Sequence, residues 1–227
     1  MKNFKLNMGG WVLSAFVLLA LLSSCKKDFV QQDPGVAKIR VVNTLLSANP
    51  HDFYQDNAKL TTNTVGYGAY SNYVGAVGGY SVLWFKDALL NTASAVSDVV
   101  LANDAKYTLF LYSNGAEKFF IAGYINNDKV PAAGKFRVRF LNLCAAFDNK
   151  KLSIVDQAGV PINSQLSFGA DPVYFEINTD NVLKVKVEDS AVITHIPGSE
   201  FQEGKNYLVW FDTVDGGTVQ YHIVPQD

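Results

Sequence analysis

The chain has 227 residues, 48% of them hydrophobic and 18% charged, which excludes disorder as the class of its body. Nineteen basic residues stand against 21 acidic ones, a net charge of -2, and this balance argues against nucleic acid as a partner, which wants a clustered basic face. Phe, Tyr and Trp reach 13%, a composition that favours strands over helices.

Lys2 and Lys5 head an apolar stretch, Trp11–Leu22, broken only by Ser14. At about a dozen residues it is shorter than the roughly 20 that a helix needs to cross the hydrocarbon core. A basic head, a short apolar core and small residues before a cut describe a secretory signal peptide. Leu22-Ser23-Ser24-Cys25 resembles the lipobox of bacterial lipoproteins, in which the cysteine thiol receives a diacylglyceryl group and becomes the new N-terminus. The resemblance implies that residues 1–24 are removed and that Cys25 is the lipidation site. The membrane is then a partner, through diacylglycerol and palmitate on Cys25, and two acyl chains at roughly 0.8 kcal/mol per buried methylene hold durably. Lys26-Lys27-Asp28 is similar to the charged tag behind the cysteine of surface-exposed Bacteroidetes lipoproteins, which implies the outer membrane and its exposed face.

Residues 25–35 read as the lipidated N-terminus and a polar tether. With Cys25 acylated, Cys144 has no cysteine partner and no intramolecular disulfide can form. In Phe140-Leu141-Asn142-Leu143-Cys144 it reads as a small buried hydrophobe.

Beyond the tether the chain runs twice through one plan. Arg40-Val41-Val42-Asn43 answers Arg139-Phe140-Leu141-Asn142. Tyr67-Gly68-Ala69 with Tyr73 answers Phe168-Gly169-Ala170 with Tyr174. Lys106-Tyr107-Thr108-Leu109-Phe110 is echoed by Asn206-Tyr207-Leu208-Val209-Trp210. Each pair is separated by about a hundred residues, and that agreement carries more than any one match. The repeat predicts modules at 36–128 and 135–227, with Asn126–Gly134 as the joint.

Within the copies the period is two. Phe136, Val138 and Phe140 alternate with Lys135, Arg137 and Arg139; Leu183, Val185 and Val187 alternate with Lys184 and Lys186; Val219, Tyr221 and Ile223 alternate with Gln220 and His222. Such alternation predicts strands with one face on a core and the other in water. Tyr80, Val82 and Trp84 alternate with Ser81, Leu83 and Phe85, which predicts a strand buried on both faces. Ala88–Val100 is the segment best suited to a helical turn, weakened by Thr92, Val96 and Val99. Turn signals at Ser113-Asn114-Gly115, Gln157-Ala158-Gly159, Glu203-Gly204-Lys205 and Asp215-Gly216-Gly217 punctuate the strands. The expected fold is all-β, with two tandem antiparallel β-sandwich modules of immunoglobulin-like or transthyretin-like kind after a signal peptide.

Arg40–Asn43, Tyr67–Tyr73 and Tyr107–Leu109 together resemble the domain of unknown function 4397, a family common in secreted and lipid-anchored Bacteroidetes proteins. The second copy departs from the pattern, with Asp171-Pro172-Val173-Tyr174 and Leu208-Val209. The resemblance implies a tandem β-sandwich at the cell envelope. It supplies no catalytic or binding residue.

Chemistry is sparse. His51, His195 and His222 lack a second His or a Cys at ligand spacing, and each reads as a solvated histidine, His51 on a loop after Asn49-Pro50. No Gly-x-Ser-x-Gly elbow is present. Asn126-Asn127-Asp128 and Asp212 with Asp215 are oxygen-rich without the EF-hand pattern, so they read as linker and turn. Nothing calls for a metal or a cofactor, and the chain reads as a non-enzyme. The aromatic, glycine-rich stretch Gly66–Phe85 offers one binding candidate, a platform of Tyr67, Tyr70 and Tyr73. In an extended strand Tyr70 would face away from the other two, so the platform requires a break at Gly66, Gly68 or Ser71. Packing tyrosines are the competing assignment. Three functions stay open: a non-catalytic binding or adhesion module for glycan or protein, a structural accessory of an outer-membrane protein complex, and a hydrolase with an unrecognised site.

Overall fold

The computed structural model describes residues 35–46, 48–116 and 118–226. The expected signal peptide, Cys25 and the expected tether as far as residue 34 lie outside the described residues.

The first eight strands are β1 (Val36–Asn43), β2 (His51–Gln55), β3 (Ala58–Lys59), β4 (Val74–Val77), β5 (Gly79–Asp87), β6 (Ala93–Leu101), β7 (Lys106–Ser113) and β8 (Phe119–Ile125). They form two sheets, β4-β1-β7-β8 and β3-β2-β5-β6. The next eight are β9 (Lys135–Asn142), β10 (Leu152–Val155), β11 (Pro161–Leu166), β12 (Tyr174–Asn178), β13 (Val182–Val187), β14 (Ile193–Pro197), β15 (Asn206–Asp212) and β16 (Gln220–Pro225). Their sheets are β12-β9-β15-β16 and β11-β10-β13-β14, the same order shifted by eight strands. The repeat in the sequence is thus a repeat of topology. Pairing is antiparallel with one departure per module: β1 runs parallel to β7, and β9 to β15.

Each module has its own core. Ile39, Val41, Phe53, Leu83, Phe85 and Leu109 fill the first, with Phe53 and Phe85 rings 5.1 Å apart. Phe136, Val138, Phe140, Ile154, Val185, Val209 and Phe211 fill the second. β-branched and aromatic side chains at alternate positions put every second residue onto these cores.

The other face of the two inner sheets is not in water. Val42 and Phe110 of the first module pack with Leu141, Leu208, Trp210 and Val224 of the second in a third apolar cluster. The layers therefore run outer sheet, inner sheet, inner sheet, outer sheet, and the central strands of the inner sheets, β1, β7, β9 and β15, are buried on both sides over most of their length. This corrects the expected solvent face of β9: Arg137 and Arg139 are buried, as is Arg40 of β1. Their guanidiniums lie on rings, Arg137 at 4.0 Å from Tyr174 and Arg40 at 4.2 Å from Tyr73. A cation on an aromatic face keeps favourable electrostatics where water is excluded.

Two further expectations change. Ala88–Val100 holds no helix: Asp87 accepts hydrogen bonds from the Leu89 and Leu90 amides at 2.8 and 2.9 Å, closing a turn, and β-branched Val96, Val99 and Val100 continue as β6. These amides hold the Asp87 carboxyl below its ordinary value, the Leu90 amide most strongly. Strand β5 fully buries only one face, Ser81, Leu83 and Phe85, while on the other Tyr80 is exposed and Val82 and Trp84 are half-buried.

Candidate functional site

The three tyrosines do not form one platform. Tyr67 and Tyr73 are half-buried, and both reach into the second module. The Tyr67 hydroxyl donates to Asp212 Oδ2, and that of Tyr73 donates to the Gln226 carbonyl at 3.1 Å. Tyr70 stays 43% exposed, with the Arg40 guanidinium 5.1 Å from its ring centroid. The break in extended backbone falls at Gly68, whose φ of +74° suits glycine, and whose amide donates to the Asn43 carbonyl at 2.9 Å. A Cβ there would come within 3.2 Å of the His222 ring, so the segment is held tightly against the second module.

Where the modules meet, a cleft of about 580 Å3 opens between Leu45, Phe119 and Ser113 on one side and Cys144, Trp210 and Asp212 on the other. Asp212 is its charged residue. Oδ2 takes Tyr67 and lies 3.2 Å from His222 Nε2, while Oδ1 is buried with no protein partner. Burial raises the Tyr67 hydroxyl above its usual value, and the hydrogen bond to Asp212 adds to it. Cys144, expected as a buried hydrophobe, is half-buried in the cleft wall, and burial pushes its thiol up, away from a reactive thiolate.

The histidines divide. His195 is exposed as expected. His51 is not on a loop: it opens β2, is buried, and lies 3.3 Å from Asn43 Nδ2 and 2.9 Å from Ser94 Oγ. Burial pulls its pKa below 6.5. His222 is not free in solvent either, since its ring lies flat on Trp210. Asp215 folds back on its own turn, accepting from Gly217 and Thr218 amides at 2.9 and 2.7 Å. Among the described residues no group of three His, Cys, Asp or Glu side chains could hold a metal ion.

The surface that stands out is the open face of the β3-β2-β5-β6 sheet. Register places Tyr54, Trp84 and Val96 in one row across β2, β5 and β6. The next rows are Val82 with Asp98 and Tyr80 with Val100. Tyr80 is 71% exposed, Val100 75% and Val96 49%, a run of apolar surface that solvent alone does not favour. Its rim is polar. The Lys86 ammonium lies 4.3 Å from the Tyr54 ring centroid, Lys59 pairs with Asp52 at 2.7 Å, and the Tyr80 hydroxyl donates to Asp98 at 2.7 Å.

The second module is an internal control. Its matching row is Val155, Lys184 and His195, flanked by Val182 with Pro197, where the first module has Val82 with Asp98, and by Ser153 with Lys186, where it has Asp52 with Lys86. The same sheet accepts lysine and histidine there, so packing does not require the aromatics of the first module. Sequence reasoning missed Tyr54 and Trp84 because the run from Tyr80 to Phe85 reads as apolar throughout. Lys184, at the place of Trp84 in the second module, was the available signal that this face is open.

None of the curated proteins matches the sequence. Among solved structures, an α-glucan-binding domain of a streptococcal virulence factor is 10% identical, with a TM-score of 0.27, covering 82% of this chain and 96% of its own. Family 41 carbohydrate-binding modules from streptococcal virulence factors give 10% identity and 0.26, covering 82% and 97%. A family 26 module from Eubacterium rectale Amy13K, in complex with maltoheptaose, gives 9% and 0.27, covering 85% and 97%. At these scores the ligands of those proteins say nothing about this chain's. The family model described as "Domain of unknown function (DUF4397)" matches residues 37–152, from β1 through the first module to the start of β10, and the chain belongs to that family.

Proposed function

We propose that the chain is a non-catalytic binding module, held at the outer membrane by lipid on Cys25, which takes a glycan on the open face of its first module. The carrying observation is the contrast between matching rows: Tyr54, Trp84 and Val96 in one module, Val155, Lys184 and His195 in the other. Neighbouring tyrosine and tryptophan rings offer flat apolar faces on which a sugar ring stacks through its C–H side. Asp52, Lys59, Lys86 and Asp98 at the margin supply acceptors and donors for sugar hydroxyls. The anchor rests on Leu22–Cys25, and the tether gives the folded part reach from the membrane.

A glycan array with the mature chain, followed by affinity electrophoresis on the polysaccharides retained, tests this reading. Trp84→Lys, the residue that the second module carries at this place, is expected to abolish retention while the melting temperature stays within a few degrees of the parent's. Retention that survives Trp84→Lys with Tyr54→Val, or an absence of glycan binding together with capture of an envelope protein, sinks it and favours the accessory-subunit reading.

A further inference from the structure

The seam between the modules repeats its own contacts in reverse. Arg40 of β1 donates to the Pro225 carbonyl at the end of β16, and Arg139 of β9 donates to the Ile125 carbonyl at the end of β8 at 2.8 Å. Arg40 and Arg139 hold the same place in the two copies, and so do Ile125 and Pro225. The Arg40 guanidinium lies 4.2 Å from the ring of Tyr73, and that of Arg139 lies 4.4 Å from its counterpart, Tyr174. Tyr67 of the first copy meets Asp212 of the second, while Phe168 of the second meets Tyr112 of the first, ring centroids 6.1 Å apart. Between these pairs the equivalent residues Asn126 and Gln226 bond to each other, the Gln226 amide donating to Asn126 Oδ1. Residue i touching j, j touching i, and equivalents meeting at the centre are the marks of an isologous interface.

We propose that the inner-sheet face of each module is a docking surface for a copy of the module, and that the chain is a two-fold dimer closed on itself by the connection between β8 and β9. Two features support this. The arginines bind backbone carbonyls, so the contact does not depend on which copy supplies the strand end. The apolar centre, Val42 and Phe110 against Leu141, Leu208 and Trp210, contains no bond that the connection itself must hold. The modules then pair without a covalent link, and the partner module can come from a second chain.

The test uses the whole chain with a protease recognition sequence placed between Ala132 and Ala133, both exposed. After cutting, the halves are expected to elute together at the mass of the uncut protein. Mixing two cut populations, one carrying a donor dye on its first module and the other an acceptor on its second, is expected to give energy transfer as halves exchange. Arg40→Ala with Arg139→Ala is expected to weaken association of the halves by about tenfold or more, the scale for losing paired arginine anchors. Circular dichroism of the uncut variant checks that its strands persist. Halves that separate on cutting in native buffer overturn the proposal, as does an absence of exchange or a dissociation constant unmoved by the double substitution. None of these outcomes depends on glycan binding, so the two proposals fail separately.

Discussion

The ring of His222 lies flat against that of Trp210, centroids 3.9 Å apart and planes 6° from parallel. The stack turns His222 Nε2 toward Asp212, which also accepts the Tyr67 hydroxyl. His222→Ala leaves Asp212 with one donor fewer in a site that solvent reaches poorly. Its expected cost is about 1–3 kcal/mol of stability in urea denaturation. A change within a few tenths of a kcal/mol would show that the stack is incidental.

Alkaline pH should loosen the seam. Burial raises the hydroxyls of Tyr67, Tyr73 and Tyr124 above the ordinary value of 10, that of Tyr124 up to about 12. A pKa higher in the folded state than in the unfolded one gives stability that is complete below the unfolded value and is lost as pH rises through the folded value. The denaturation midpoint is therefore expected to hold steady to about pH 9 and to fall above about pH 10. Tyr67→Phe is expected to make that alkaline fall shallower, and an unchanged slope would count against Tyr67 as one of its sources.

Acid acts through His51. Burial lowers its pKa from 6.5, so it adds stability above that value that is lost as pH falls toward the folded pKa. His51→Asn, which keeps a hydrogen-bonding group beside Asn43 and Ser94, is expected to flatten the acid limb of the stability profile below about pH 6.5. A limb of unchanged steepness would place the acid sensitivity elsewhere.

Limited proteolysis is expected to cut first at Ala132-Ala133-Gly134, which are exposed, and to spare Asn126 and Pro131, which are buried. The cut should leave no early change in near-ultraviolet circular dichroism, because the seam rather than the connection holds the modules. Early cleavage within β7 or β15 would contradict the burial of the inner sheets.

Cys25→Ala is expected to release the chain from the membrane fraction or to block its processing. A variant still cleaved at the same place and still extracted only by detergent would refute the lipobox reading of Leu22–Cys25.

The repeat and the strand class were legible because alternation and turn residues are local. Phe136, Val138 and Phe140 announce a buried face wherever the strand ends up. What Arg137 and Arg139 face is not local. A charged side chain at every second position means water unless something covers it, and here Tyr174 of the neighbouring strand β12 and the Ile125 carbonyl of the other module do so. The motif residues Arg40, Asn43, Tyr67 and Tyr73 carried the resemblance to the family, and they build the seam and its supporting turn. Tyr54 and Trp84 failed to register for the opposite reason: aromatics in a strand read as core, and Lys184, at Trp84's place in the second module, is what marks that face as open.

The parallel pairing of β1 with β7 has a kinetic consequence. Ile39 sits opposite Tyr107 and Val42 opposite Phe110, so the first strand waits for the seventh before its sheet closes. Joining strands so distant along the chain means closing a long loop before any contact rewards it, which slows folding relative to hairpin-built sheets. The same holds for β9 and β15. Until β7 arrives, β1 presents unpaired amides and carbonyls beside Ile39 and Val41, the kind of edge that draws in other chains. Substitutions in β7 that lower strand propensity are therefore expected to prolong that exposure and to raise aggregation on refolding more than equal losses of stability in β6.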